Sequence, residues 1–428
     1  MMVGEVILIA RLIHQRGLTM QHEPEQPMDA GRRRFLWQSL VGTGMVVAGP
    51  LGGWHRLAQA AQAPSTLILE HLGPLGEPDA LGIRLPTGLR ARLVARSGQP
   101  VLNGGGYRWH LFPDGGATFP APRGGWIYVS NSEVPAAGGV GALHFNARGE
   151  VVGAYSLLEG TSLNCAGGAT PWGTWLSCEE WSGGAVWECD PRGRRLPRRR
   201  PALGIFKHEA VAVDPDQGRL YLTEDEPDGR FYRFTPSAYP KLNDGTLEVA
   251  EVQGDPLAGP VAVMWHPVPE PRPLLGGAGK GVPTRLQVPQ STAFRGGEGI
   301  GWHAGRIYFT TKGDDTVWCY QAGAAGSGIL TVLYRRNADR PEDILSGVDN
   351  LLVAASGEVL VAEDGGDMQV VVLDATGQPT PLLQVVGQDQ SEIAGIAFSP
   401  DGSRLYFSSQ RGPTGKGPFG LTYEVSII

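Results

Sequence analysis

The chain has 428 residues, including 63 Gly and 34 Pro, and it carries a net charge of −7. Gly and Pro well above their average frequency exclude coiled coils and long helical bundles. A hydrophobic fraction of 41% excludes a disordered chain. The acidic balance argues against nucleic acid as a partner, and four Cys are too few for a disulfide scaffold. A turn-rich, mostly β protein remains.

The N-terminal region reads as an export signal rather than as part of the fold. The pair Arg32 and Arg33 precedes a weakly apolar stretch over residues 40–51, which is too short to span a membrane, and then an Ala-rich segment over 58–63. The competing interpretation is a basic arm with a core helix. We predict that residues 1–63 are a twin-arginine signal region, with Met28 as a candidate true start.

This interpretation predicts localisation and one partner. The mature protein is expected to begin close to Ala61 or Pro64 and to be periplasmic or secreted. The twin-arginine translocase would be its partner during export, and no stable membrane span is expected. Twin-arginine cargo crosses already folded, often with metal inserted, so the route hints at a metal cofactor.

The remaining residues, 64–428, repeat a pattern of a short strand, a Gly-bearing turn and a second strand. The second strands end near six positions, namely Ser130, Cys178, Thr223, Thr311, Ala362 and Ser408. These ends lie 45 to 51 residues apart, except for one interval of 88 residues between Thr223 and Thr311. Propeller blades repeat every 40–50 residues or so. The spacing therefore predicts six blades.

We predict an all-β fold, a six-bladed β-propeller forming a single domain with a long insertion in one blade. The insertion is expected within residues 236–290, where Pro and Gly are dense and strand signals are poor. An N-terminal strand, from Thr66–His71 or Leu89–Ser97, would close the ring. A pair of β-sandwiches is the alternative, but it does not explain the regular spacing.

Polar residues recur where these hairpins begin and end, at one end of each hairpin. The starting positions are Asn164, Glu209, Glu298, Asp349 and Glu392. The ending positions include Cys178, Glu179, Glu180, Glu224, Asp225, Glu226, Asp314, Asp315, Glu363, Asp364 and Gln410. The innermost strands of a propeller line its channel, so these carboxylates should converge at one mouth. The alternative is a set of solvated acidic residues at loop ends.

Clustered carboxylates repel one another unless cations are present. Four basic side chains lie near these positions in the sequence, namely His208, Arg295, Lys312 and Arg411. Bound cations would offset the remaining charge. Hard oxygen ligands favour Ca²⁺ or Mg²⁺, and a thiolate favours a softer transition metal.

The most specific segment runs from Asn164 to Glu180 and contains Cys165 and Cys178. Cys178 is followed at once by two carboxylates at a predicted strand end, so we predict that it is a thiolate metal ligand. Cys165 is then expected to pack behind the site. The alternatives are a Cys165–Cys178 disulfide or two buried free thiols.

The segment 164–180, together with residues 206–211, 349–350, 362–365 and 392–402, resembles the PhoX family of secreted alkaline phosphatases. The resemblance implies a propeller exported by the twin-arginine route. It also implies ferric and calcium ions held by carboxylates and one cysteine thiolate, at a site that hydrolyses phosphate monoesters. The chain is shorter than usual members, and residues 294–299 match only loosely.

By motif match, the resemblance implies Cys178 as the iron-bound cysteine. The candidate metal carboxylates are Glu179, Glu209, Glu298, Asp349, Glu363 and Glu392. Clustered metals would supply positive charge for the phosphate oxygens and an activated oxygen nucleophile. Candidate groups for holding the phosphate or protonating the leaving group are Arg295, Lys312, His208 and Arg411.

Two other functions fit a propeller of this composition. One is a calcium-dependent lactonase or esterase that uses no cysteine, and the other is a non-catalytic periplasmic propeller that binds a partner. Metal content discriminates among them. Iron with calcium supports the phosphatase, calcium alone supports the lactonase, and no metal supports the binding protein.

Overall fold

The computed structural model describes residues 67–274, 281–323, 326–340 and 342–428, and within these ranges it contains 26 strands and no α-helix. The predicted signal region, Met28 and the cleavage positions lie outside the described residues. Short 3₁₀ turns connect some strands, at Leu69–His71, Pro122–Gly124, Pro201–Leu203, Thr284–Leu286, Lys312–Asp314 and Gly412–Thr414. None of the described helical segments has the length and apolar character that crossing a bilayer requires.

Two N-terminal strands, one of two residues and one of eight, join sheets formed near the C-terminus. They are β1 (Ile83–Arg84) and β2 (Leu89–Arg96). The next two sheets are antiparallel and keep chain order. The first contains β3 (Pro113–Pro120), β4 (Trp126–Ser132), β5 (Gly138–Phe145) and β6 (Val151–Thr161). The second contains β7 (Asn164–Ala169), β8 (Trp175–Glu179), β9 (Val186–Cys189) and β10 (Arg198–Arg199).

The largest sheet has nine strands. Its first part contains β11 (His208–Asp214), β12 (Arg219–Glu224), β13 (Phe231–Ala238), β14 (Lys241–Gln253) and β15 (Val261–Pro267). Its second part contains β16 (Gly297–His303), β17 (Arg306–Thr311), β18 (Thr316–Ala322) and β19 (Gly328–Arg335). Strand β15 pairs with β19, so the two parts share one hydrogen-bonded sheet.

Two further sheets complete the described chain. One contains β20 (Val348–Val353), β21 (Val359–Glu363), β22 (Gln369–Leu373) and β23 (Pro379–Val385), with β1 at its outer edge. The other contains β24 (Ile393–Phe398), β25 (Arg404–Ser409) and β26 (Leu421–Ile427), with β2 beside β26. The predicted closing strand is therefore the segment beginning at Leu89.

The first strands of these units contact one another in cyclic order. Contacts run from β3 to β7, β11, β16, β20 and β24, and β24 returns to β3. The apolar core lies between neighbouring sheets; for example, Leu360 and Val370 share a cluster with Leu405 and Val425 of the next sheet. The all-β, propeller-like prediction is confirmed. The hydrogen-bonded sheets number five among the described residues, because β15 fuses two units.

The range 236–290 is richer in strands than its sequence indicates. It holds β15 and the 13-residue β14, the longest strand described. Asp244 and Gly245 lower the strand propensity of the β14 sequence. Pairing with β13 and β15 nevertheless supplies hydrogen-bond partners for its backbone. Strand formation here follows from tertiary pairing rather than from local propensity.

The strand that closes the ring is held by a buried carboxylate. Glu424 on β26 accepts from Arg92 on β2, with Nη2 2.7 Å from Oε2, and from Arg404 Nη1 at 2.5 Å. The Tyr406 hydroxyl also donates to Glu424 at 2.8 Å. Three donors satisfy one buried carboxylate. Strand β2 is therefore fixed to the last sheet by charge-assisted hydrogen bonds as well as by its backbone pairing with β26.

Candidate metal centre

A β-bulge lies near the beginning of each of the six first strands. The register shifts fall between Pro113 and Gly116, Asn164 and Gly167, His208 and Val211, Gly297 and Ile300, Val348 and Leu351, and Ala394 and Ala397. In β7, for example, Asn164 pairs with Glu179 and Gly167 with Ser177, so β7 has one extra residue. Bulges re-aim side chains and are common beside active sites.

Five of these bulges carry a chemically active side chain at the same position. The residues are Asp114, Cys165, Glu209, Glu298 and Asp349. The next residue is small where the first strands approach closely. A Cβ on Gly115 would lie 2.5 Å from the Ala166 Cα, and one on Gly299 would lie 2.3 Å from the Leu351 nitrogen. The small residues let the first strands approach, while the bulges turn the active groups toward one another.

Together with four further carboxyl groups, these side chains form four overlapping groups of three residues. Within each group, the ligand atoms lie within 4.8 Å of one another. The groups are Cys165, Glu180 and Glu209; Glu209, Glu298 and Asp349; Asp349, Asp364 and Glu392; and Asp114, Glu133 and Glu392. We call their nine residues the acidic cluster. Among the sequence-predicted metal residues, the structure brings Glu209, Glu298, Asp349 and Glu392 together.

Within the described part of the chain, three basic side chains form ion pairs with the acidic cluster. Lys207 Nζ lies 2.7 Å from Glu180, and Lys312 Nζ lies 2.9 Å from Glu298. Arg411 contacts Glu392 and lies 3.4 Å from Asp364. The cluster has eight carboxyl groups, so these three cations cannot balance its charge when the carboxyl groups are ionised.

Burial and mutual repulsion raise the pKa of these carboxyl groups. Burial first, and then Asp349, raises the pKa of Asp114 to about 6, while burial and then Asp114 raise that of Glu133 to about 8. Burial also raises the pKa of Glu180 to about 7. The pKa values of Glu209, Glu298 and Glu392 lie well above the ordinary range for the same causes. Such carboxyl groups ionise readily only with cations bound.

The two cysteines of the 164–180 segment have different surroundings. The Cys165 thiol lies in the acidic cluster and donates to Glu209 Oε1 at 3.3 Å. Cys178 is fully buried in an apolar cluster that includes Leu176, Val186 and Leu220. All four cysteines of the chain are free. The structure therefore does not place Cys178 among the carboxylates, and the Cys165–Cys178 disulfide is absent.

Glu179 and Glu363 also lie outside the acidic cluster, because their oxygens bind loop backbone. Glu179 accepts from the Ser162 nitrogen at 3.1 Å and the Ala185 nitrogen at 3.2 Å. Glu363 accepts from the Ser346 and Gln369 nitrogens, each at 2.9 Å. Each ends the second strand of its sheet and pairs with the first residue of the first strand. Their role at this position is to tie loops to the sheet.

Of the predicted basic groups, Lys312 and Arg411 reach the cluster, whereas His208 and Arg295 do not. His208 is buried against Phe206 and pairs its Nε2 with the Gly204 carbonyl at 3.1 Å, and burial lowers its pKa to about 3. Arg295 is exposed and lines a separate surface cavity of about 450 Å³. Among the described residues, neither side chain forms a hydrogen bond or ion pair with the acidic cluster.

Sequence reasoning missed Asp114, Glu133 and Lys207 and assigned Cys165 a packing role. A signal for the bulge residues was present in the sequence. Asp114 precedes two glycines, and Cys165 precedes Ala166 and two glycines, as Glu298 precedes Gly299. An active side chain followed by small residues marks these three positions, whereas Asp349 precedes Asn350 and Leu351 and lacks the signal.

The donor set fits bound cations. Glu209 Oε2 is buried and has no hydrogen-bond partner, an arrangement that costs free energy unless a cation completes it. Carboxylate oxygens are ligands for calcium, and a thiolate beside them adds a ligand for a transition metal. The acidic cluster therefore offers ligands for both kinds of metal.

Comparisons with known proteins identify the family. A family model described as alkaline phosphatase PhoX matches residues 134–186 and 182–412. The fold is similar to that of Pseudomonas fluorescens PhoX, solved in complex with vanadate, a transition state analogue. The TM-score is 0.68 with 17% identity, covering 86% of this chain and 98% of that chain.

Other solved structures are less similar. A Bacteroides thetaiotaomicron protein of unknown function has a TM-score of 0.49 and 10% identity, covering 82% of this chain and 84% of that chain. The PQQ-bound aldose sugar dehydrogenase of Streptomyces coelicolor has a TM-score of 0.32 and 16% identity, covering 80% of this chain and 100% of that chain. Comparison with curated protein sequences gives no match. Because the family model spans more than half of the chain, the chain belongs to the PhoX family of alkaline phosphatases and is a metal-dependent phosphoric monoester hydrolase.

Proposed function

We propose that this phosphatase hydrolyses small phosphate monoesters at the acidic cluster, with iron and calcium as its metals. The observation that carries the proposal is the convergence of one buried thiol and eight carboxyl groups. They come from all six segments that contain a first strand. The donor set suits both metals, because a thiolate is a ligand for a transition metal such as iron and carboxylate oxygens are ligands for calcium.

In place of Cys178, we assign Cys165 as the thiolate ligand. Its sulfur groups with Glu180 and Glu209, whose oxygens complete a three-residue donor set. Asp114, Glu133 and Glu392 form a second donor set, and Glu298, Asp349 and Asp364 lie between the two sets. Glu179 and Glu363 are not assigned to metal, because backbone donors occupy both oxygens of each.

When bound, the metals supply positive charge to the phosphate oxygens and lower the pKa of the attacking oxygen. Arg411 is the side chain best placed to hold the phosphate. Its guanidinium lies against Glu392 and Asp364, and its side chain is 27% exposed, so it remains accessible from solvent. Its planar fork can bind two phosphate oxygens at once. The carboxylates beside it keep the fork in position.

Removal of metal tests the function directly. Protein produced in a host that exports it folded is expected to contain both iron and calcium by elemental analysis. Chelation is expected to abolish hydrolysis of phosphate monoesters, and addition of both metals to restore it. Calcium without iron in active protein would contradict the proposed thiolate–iron pair, and activity that survives complete metal removal would contradict the metal-dependent function.

We also propose six blades. Support comes from the six first strands, which carry the same bulge and contact one another in cyclic order. The nine-stranded sheet would then comprise two blades, with β15 within the proposed insertion at 236–290 as the added strand that joins them. The single propeller domain would span residues 64–428.

Export by the twin-arginine translocase, with a periplasmic or secreted product, is proposed from the sequence signal at Arg32 and Arg33. Replacing both with Lys is expected to leave the precursor in the cytoplasm, since the translocase recognises the arginine pair. Fractionation with immunoblotting measures the effect, and N-terminal sequencing of exported protein should begin near Ala61 or Pro64. Unchanged export of the double variant would refute the proposed route.

A further inference from the structure

Lys312 contacts three carboxylates of the acidic cluster, more than any other basic side chain that the structure describes. Its Nζ is 2.9 Å from Glu298 Oε1, 3.3 Å from Asp364 Oδ2 and 3.7 Å from Asp349 Oδ2. These carboxylates follow or begin different strands, namely β16, β21 and β20. One ammonium thus contacts members of the two middle groups of the cluster.

The backbone fixes Lys312 at this point. It follows β17 directly, and its nitrogen donates to the Gly296 carbonyl at 2.8 Å. The Gly313 nitrogen donates to the Arg295 carbonyl at 2.8 Å, so the turn is tied on both sides. The ordered turn directs the side chain from the end of β17 into the cluster. By contrast, Lys207 contacts one cluster carboxylate, Glu180, and also Asp225, which lies outside the cluster.

We propose that the Lys312 ammonium occupies a cation position at Glu298, Asp349 and Asp364, so that metal ions bind in the two flanking groups. This inference rests on the proposed metal-dependent function. The flanking groups are Cys165, Glu180 and Glu209 on one side and Asp114, Glu133 and Glu392 on the other. Lys312 is then a positioning residue that limits the number of metals.

The chemistry of the two kinds of cation supports this division. An ammonium has three donors and no acceptor, which matches three surrounding carboxylates. Calcium takes six to eight oxygens, and three carboxylates can offer up to six. A calcium ion at the same place would meet the positive charge of Lys312 at close range. Removing that charge, with the carboxylates kept, should therefore create a calcium site.

The test compares the metal content of purified variants after gel filtration in calcium-containing buffer. Lys312→Met keeps the length of the side chain but removes its charge. It is expected to gain about one calcium ion per chain relative to the wild type, with iron unchanged. Calcium should also raise its melting temperature more than that of the wild type. Lys312→Gln provides a second neutral variant if the Met variant folds poorly.

Two controls bracket the result. Lys207→Met removes an ammonium that contacts a single cluster carboxylate, and Lys416→Met removes an exposed charge. Neither should gain calcium. An unchanged or lower calcium content in the folded neutral Lys312 variants would overturn the inference, and a raised KM alone would make Lys312 a substrate-binding group instead. Absence of metal from the wild type would refute the proposed function separately.

Discussion

Replacing Cys165 with Ser is expected to remove iron and to lower kcat/KM at least about 100-fold, whereas Cys178→Ser should retain both. Loss of groups that merely support a ligand costs 10–100-fold or so, and loss of the ligand itself should cost at least as much. The neutral hydroxyl of Ser is a poor substitute for a thiolate beside Glu180 and Glu209. Elemental analysis and steady-state kinetics on the two variants measure the difference.

Cys178→Ser is the matched control because it makes the same change one strand away. Cys178 is fully buried among apolar residues, so a hydroxyl there lacks a partner and should cost about 1–3 kcal/mol of stability. Cys178→Ala separates that cost from any effect of the sulfur. If folded Cys178→Ser lost iron while Cys165→Ser kept it, the assignment of the thiolate to Cys165 would be wrong.

The two cysteines show where the sequence prediction and the proposed site differ. Repeat spacing located the strand starts, and the carboxylates Glu209, Glu298, Asp349 and Glu392 do converge. The same reasoning favoured Cys178 because Glu179 and Glu180 follow it. Strand β8 ends at Glu179, however, so only Glu180 leaves the strand to join the cluster. The bulge in β7 turns Cys165 inward instead.

The fold was more predictable than the site for a physical reason. Strand and turn signals are local, so hairpins repeating about every 45 residues indicate a propeller-like arrangement. Which side chain faces the channel depends on one extra residue in a ladder, and a shift of one residue reverses every side chain. Glu363 illustrates this: its position at a strand end was correctly anticipated, but its oxygens bind the Ser346 and Gln369 nitrogens.

Replacing Glu209 with Gln is expected to stabilise the metal-free protein while weakening metal binding and lowering activity at least about 100-fold. Glu209 Oε2 is buried without a partner, and burial followed by repulsion from Glu298 raises the pKa of the carboxyl group well above its ordinary value. The ionised group therefore costs stability in the metal-free fold. That cost grows as pH rises through the folded-state pKa and is absent below about pH 4, near the unfolded pKa.

Thermal unfolding of chelated protein at two pH values tests this, with Glu363→Gln as the matched control. At alkaline pH the chelated Glu209→Gln protein should melt above the chelated wild type, and at about pH 4 the two should converge. Glu363→Gln should retain metal but lose about 1–3 kcal/mol of stability, because an amide has one acceptor oxygen for the two nitrogens that Glu363 binds. The two substitutions are chemically identical and both sites are buried, so opposite effects would separate a carboxylate that binds metal from one that binds backbone. A chelated Glu209→Gln protein that melts below the wild type and still binds metal would show that Glu209 is structural.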